Sequence, residues 1–255
     1  MPTKYRISLV SYLNTKPFLY GLQHAEEARQ FALELDIPSV GGQKILNNTV
    51  DIGLVPVAVL AKLQDARIIS DYCIGADGDV KSVCLFSHVP IEEIQSVYLD
   101  YHSMTSVQLV QILFREYWKS QPVYLEAQTG YIDQIQSTTA GLIIGDRALH
   151  MFHQFPYVYD LSAAWKALTG LPFVFAAWIT RRDIPENVIE GLNKALGYGL
   201  SQIDQVVELY AGQQFDQETV RTYFTHNIDY HLDGVKRKAL ETFIGKIHHH
   251  TPTAV

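Results

Sequence analysis

Short apolar strands alternate with helix starts twice along this chain, and the alternation then gives way to helices alone. Tyr5-Arg6-Ile7-Ser8-Leu9-Val10 reads as a buried strand that turns at once into a helix containing Pro17, Phe18, Leu19, Tyr20 and Leu22. A second strand over 31–38, a short helix over 39–48 and a strand over 50–56 follow, the last ending at Pro56, which cannot donate to a ladder. Residues 57–63 read as helical, and 67–70 and 82–87 as strands with a polar loop over 75–79. His88-Val89-Pro90 interrupts the rhythm and a second series begins. Strands are expected at 96–100, 123–125 and 141–146, with a helix over about 104–118 capped by Ser103 or Thr105. A helix capped by Asp160 runs to Leu168 with Gly170 beyond its end, and 173–180 reads as a strand. From Ile184 the pattern is helices only.

Such alternation implies an α/β fold with mostly parallel sheets. Two series suggest two lobes, the first discontinuous: residues 1–88 with 179–255, and an inserted lobe over 89–178, joined by two crossover strands. A ligand then belongs in the cleft between lobes, where closure excludes water.

Four groups of residues offer chemistry at such a cleft. Ser11, Tyr12, Asn14 and Thr15 lie where a strand becomes a helix, a place that favours anions, with Thr15 as the expected cap. Ser103, Thr105 and Ser106 occupy the equivalent position in the second series. Two hydroxyl-bearing helix starts facing each other suit a ligand with two separated carboxylates. Lys81 and Ser82 lead into a crossover strand, and Asp146-Arg147 closes another strand. Arg147 can fork onto a carboxylate, or pair with Asp146 or Glu126 as a structural bridge.

Composition removes other classes. The 255 residues carry a net charge of −7 and no basic stripe accompanies the aromatic residues, so nucleic acid is not an expected partner. No apolar run is long enough to cross a bilayer, and the start leads into a strand without a secretory pattern, so a cytoplasmic location is expected. Cys73 and Cys84 fit neither a zinc knuckle nor a redox pair and read as buried thiols. HExxH, P-loop, GxGxxG and GxSxG patterns are missing, and the histidines show no ligand spacing, so no metal site is expected. His248-His249-His250, followed by Thr251-Pro252, receives no role.

The motifs go further than the physics. Ser11-Tyr12-Leu13-Asn14-Thr15-Lys16-Pro17 resembles the N-terminal signature of the MqnA family, the chorismate dehydratases of the futalosine route to menaquinone. So do Asp51-Ile52-Gly53-Leu54-Val55-Pro56, Lys81-Ser82-Val83, Leu99-Asp100 with residues 103–107, Ile144-Gly145-Asp146-Arg147-Ala148-Leu149, Asp160-Leu161 with Trp165, and the run 169–176 with Trp178. They occur in family order across about residues 5–182. Met104 stands where most members carry an arginine.

The resemblance implies a periplasmic-binding-protein-like fold of the type II class, with a two-strand hinge, serving as a cofactor-independent enzyme. It implies conversion of chorismate to 3-[(1-carboxyvinyl)oxy]benzoate and water. Asn14 and Ser82 are the implied catalytic residues, and Ser11, Tyr12, Thr15, Pro56, Ser103, Thr105, Ser106, Asp146 and Arg147 the candidates for holding substrate. The competing expectations are the sister 1,4-dihydroxy-6-naphthoate synthase of the same route, and a non-catalytic binder of a small carboxylate.

Overall fold

The computed structural model describes residues 4–250. Residues 1–3 and 251–255, including Thr251-Pro252, lie outside the described residues. β1 (Tyr5–Val10) is buried over its last four residues, as the apolar run requires. One 3-10 turn leads into α1 (Lys16–His24), whose first turn accommodates Pro17 because an N–H there has no partner inside the helix. β2 (Phe31–Asp36), α2 (Pro38–Leu46) and β3 (Ile52–Pro56) continue the alternation, and 57–62 forms a 3-10 helix. β4 (Arg67–Ala76) is longer than expected and takes Gly75 and Ala76 out of the anticipated loop.

The second series comprises β5 (Val83–Ser87), β6 (Ser96–Leu99), α3 (Thr105–Glu116), β7 (Val123–Glu126), β8 (Thr139–Ile144) and α4 (Asp146–Met151). β9 (Tyr157–Asp160) was not anticipated and precedes α5 (Leu161–Thr169). Asp160 caps α5 as expected, accepting from the Ser162 and Ala163 N–H groups, and Gly170 ends it at φ +75°. β10 (Phe173–Thr180) is buried throughout. The tail holds α6 (Glu186–Ser201), α7 (Ile203–Tyr210), α8 (Gln217–Thr222), β11 (Asp229–His231) and α9 (Gly234–His250). The expectation of helices alone after Ile184 is thus corrected by β11, a three-residue edge strand that pairs with β4.

Two sheets result, ordered β11-β4-β10-β3-β1-β2 and β7-β6-β8-β5-β9. Both are mixed rather than mostly parallel. β1 pairs parallel with β2 and β3, and β6 with β7 and β8. The strands that follow or precede a change of sheet run antiparallel to their neighbours: β10 to β3 and β4, and β5 to β8 and β9. The chain changes sheet between β4 and β5 and again between β9 and β10, so β5 belongs to the second sheet and β10 to the first. Those crossings lie upstream of the expected boundaries at 88/89 and 178/179, because a crossover strand joins the sheet it enters.

The helical tail is fastened to the first series where α1 crosses α6. A Cβ built on Gly199 would meet the Pro17 carbonyl oxygen at 1.9 Å, and one on Gly21 would meet the Ala195 carbonyl oxygen at 2.0 Å. Only glycine permits that approach. At the far end, Phe243 of α9 packs edge-to-face on Trp165 and Phe173, closing the core over the crossover strand β10.

Candidate functional site

The carboxyl ends of β1, β2 and β3 in one sheet face those of β6 and β8 in the other across a cleft with about 520 Å³ of empty space out to its mouth. This is the position at which open α/β sheets bind ligands. Tyr12, Asn14, Thr15 and Pro56 line it from the first sheet, and Ser82, Ser103, Thr105 and Ser106 from the second, with Phe175 and Ala176 of β10 in the wall. Three of the expected substrate-binding residues lie elsewhere. Ser11 and Asp146 line a neighbouring pocket with Lys16 and Tyr210. Arg147 reaches the fully buried Asp100, its Nη2 donating to Oδ1 at 2.9 Å and Oδ2 at 2.7 Å. That pairing resolves the choice left open for Arg147 with a partner, Asp100, different from the two considered.

Several lining residues already spend their hydrogen-bonding groups on the fold. Thr15 does not cap α1: its hydroxyl turns back to the Val10 carbonyl at 2.6 Å and the Tyr12 carbonyl at 2.9 Å, which shapes the turn after β1. Thr105 Oγ1 accepts from the Ala58 N–H at 3.2 Å and donates to the Phe175 carbonyl at 3.1 Å, so it knits three segments together beneath the cleft. Ser103 Oγ accepts from the Ser106 N–H at 3.0 Å and organises the start of α3.

Asn14 and Ser82 stand apart. Asn14 Oδ1 is buried and no group among the described residues hydrogen-bonds it. Leaving a buried acceptor bare costs about 1–3 kcal/mol, which a ligand that donates to it would offset. The Asn14 backbone is held in place from the tail, its carbonyl accepting from the Tyr230 hydroxyl at 3.0 Å. Ser82 is 1% exposed and its Oγ accepts from the Tyr223 hydroxyl at 2.7 Å. The turn that delivers Ser82 is strained: Lys81 sits at φ +64°, in the left-handed region unusual for a residue with a Cβ. Asp160 holds it there, Oδ2 accepting from the Lys81 N–H at 2.7 Å while Oδ1 caps α5. Burial, against these N–H bonds, pushes the Asp160 carboxyl up to about 6.

Two contacts bridge the cleft directly. The Tyr12 hydroxyl lies 2.5 Å from His102 Nδ1, and the Leu13 N–H donates to Asp146 Oδ1 at 2.9 Å. Burial raises the Tyr12 hydroxyl above its usual range. Burial and then the Arg147 charge hold His102 below its ordinary value. Tyr12 also lies flat on Gly145, where a Cβ would meet its ring at 2.6 Å and φ is +68°. Asp146 is therefore a strut for the turn after β1, its carboxyl raised by burial against the Leu13 N–H and Lys16. Met104 packs over α2, where a Cβ on Gly42 would meet its sulfur at 2.6 Å.

Tyr223, Tyr230, His102 and Asp160 were not singled out as site residues by sequence reasoning. The tyrosines sit at core spacing in the tail, and only their hydroxyls, which need partners once buried, hinted at more. Among the described residues no group of three His, Cys, Asp or Glu side chains is placed to hold a metal. Cys73 and Cys84 are buried and free.

A family profile described as menaquinone biosynthesis matches residues 5–249. A Thermus thermophilus protein named chorismate dehydratase is 29% identical in an alignment that covers 94% of this chain and 93% of that protein. Among solved structures, an Archaeoglobus fulgidus protein superposes with a TM-score of 0.77 at 15% identity, over 96% of this chain and 97% of that one. The periplasmic aliphatic sulphonate binding protein of Escherichia coli gives 0.62 at 12%, over 98% and 93%. A Candida albicans protein described as having the generic periplasmic binding protein fold gives 0.63 at 11%, over 96% and 90%. At these identities the structural likenesses establish the fold, which is the periplasmic-binding-protein-like one.

Proposed function

Because the chain belongs to the menaquinone biosynthesis family, we propose that it is a chorismate dehydratase, converting chorismate to 3-[(1-carboxyvinyl)oxy]benzoate and water. The observation that carries this reading is the pairing of Asn14 and Ser82 in one cleft, Asn14 presenting a buried carbonyl oxygen without a partner. The similarity to a protein named chorismate dehydratase across nearly the whole chain supports the substrate. In this reading the two sheets are the cores of two lobes that close over the ligand, and the sheet-changing connections are the hinge. A biosynthetic role on a small charged substrate fits work in the cytoplasm, and no helix among the described residues is long and apolar enough to cross a membrane.

The chemistry asks little beyond position. Elimination makes an aromatic ring, so the product is strongly favoured and the protein must hold a reactive conformer. The hydroxyls of Ser103 and Ser106 and the start of α3 face one carboxylate; Asn14 and Ser82 meet the ring hydroxyl. Neither Asn14 nor Ser82 is a base. Asp146 is occupied as a strut, and Asp160 as a cap. The base in this mechanism is the substrate's own enolpyruvyl carboxylate. It takes the ring proton from the carbon bearing the ether, the C–H electrons become ring π electrons, and the adjacent hydroxyl leaves with that proton as water. Chorismate and its side-chain monoester, offered in parallel, test this. Chorismate should be consumed and the ester bound but left intact; an ester turned over at the chorismate rate would remove the carboxylate from its role.

A further inference from the structure

Tyr223 comes from the far end of the chain, in the π-turn 223–227 that extends α8. The Ile228 N–H donates to the Tyr223 carbonyl at 3.1 Å, the i→i+5 spacing that inserts one extra residue and re-aims a side chain. Here the re-aimed side chain is buried, with its ring 2% exposed and its hydroxyl on Ser82 Oγ at 2.7 Å. The turn is stitched to the loop before Ser82 a second time, Asn227 Nδ2 donating to the Asp79 carbonyl at 3.0 Å. From the same tail the Tyr230 hydroxyl donates to the Asn14 backbone carbonyl at 3.0 Å. The tail therefore touches both implied catalytic residues at once.

A phenol has one proton to give. Given to Ser82 Oγ, it makes that oxygen an acceptor on the Tyr223 side and turns the serine's own proton elsewhere, and Ser82 lines the cleft. Burial raises the Tyr223 hydroxyl above its usual range, so it keeps its proton through neutral pH. We propose that Tyr223 is the positioning residue of this site: it fixes Ser82 as a hydrogen-bond donor to the ring hydroxyl that leaves. This rests on the dehydratase reading. In the balanced step the ring C–O electrons leave with oxygen, the ring proton reaches that oxygen by way of the substrate carboxylate, and Ser82 and Tyr223 end as they began. A tyrosine buried merely to fill space has no reason to be silent in the absence of the serine.

The test is a double-mutant cycle of Tyr223→Phe and Ser82→Ala with chorismate as substrate. Phe keeps the ring and its packing and removes only the oxygen. Tyr223→Phe should lower kcat at least tenfold and leave KM and the thermal midpoint close to those of the wild type. Added to Ser82→Ala, it should cost less than twofold more, because the serine it directs is gone. A Tyr223→Phe kcat within twofold of the wild type, or losses that multiply in the double variant, would overturn the proposal. Wild-type protein inert toward chorismate would remove the dehydratase reading itself. The positioning geometry is then judged by crystal structures of the wild type and Tyr223→Phe, where an unmoved Ser82 side chain in the variant would overturn it and a reoriented one would uphold it.

Discussion

Asn14 carries more of the account than any other side chain. Its backbone is pinned by Tyr230 and its Oδ1 is buried and bare, so the amide is held ready for a donor from outside the protein. Asn14→Asp preserves size and keeps an acceptor at this position while placing a negative charge beside a dianionic substrate. We expect kcat to fall by roughly 10²–10³, the loss seen when one positioned polar group is removed from a transition state. The thermal midpoint should stay near that of the wild type; a variant that turns over chorismate at the wild-type rate would take Asn14 out of the site. At this scale the sequence was informative where a motif concentrates polar residues at a strand end, as at residues 11–15 and 103–106. It was uninformative where a role depends on pairing across the chain. Arg147 meets Asp100 over 47 positions and Tyr223 meets Ser82 over 141, and no local pattern encodes either partner.

Elements were legible wherever periodicity or punctuation was strong. β1, α1, α3, α5 and β10 fall where apolar spacing, Pro17, Asp160 and Gly170 put them. β9 and β11 escaped because each is short and gains its strand character from a neighbour, β5 in one case and β4 in the other. The tight crossing of α1 and α6 predicts that Gly199→Ala forces the helices apart, since its Cβ would overlap the Pro17 carbonyl oxygen. Chemical denaturation should show a loss of about 1–3 kcal/mol, the usual cost of overpacking. Asp160 supplies a pH signature for the α5 cap. Its folded carboxyl is raised to about 6 from the ordinary 3.8, so the folded state holds this proton more tightly than the unfolded one. The corresponding stability is present below pH 3.8 and is lost as pH rises through about 6. Across that window the wild type should lose stability relative to Asp160→Asn. Parallel stability curves for the two proteins would show that the carboxyl does not titrate there.

The whole molecule is two mixed sheets whose strand ends face one cleft, with a helical tail that reaches back to hold both implied catalytic residues. The alternation of strands and helices pointed to an α/β chain in two series, and two sheets are what form. The antiparallel crossover strands that carry the chain between sheets were hidden, because strand direction is set by where a connection returns and not by the strand's own residues. The central claim is that this cleft dehydrates chorismate by position alone, and ultraviolet absorbance of wild-type protein mixed with chorismate tests it most directly. Loss of the diene band with growth of an aromatic product, undiminished by a metal chelator, is the result this account predicts. An unchanged spectrum with chorismate tightly bound would contradict it and leave a carboxylate-binding protein in its place.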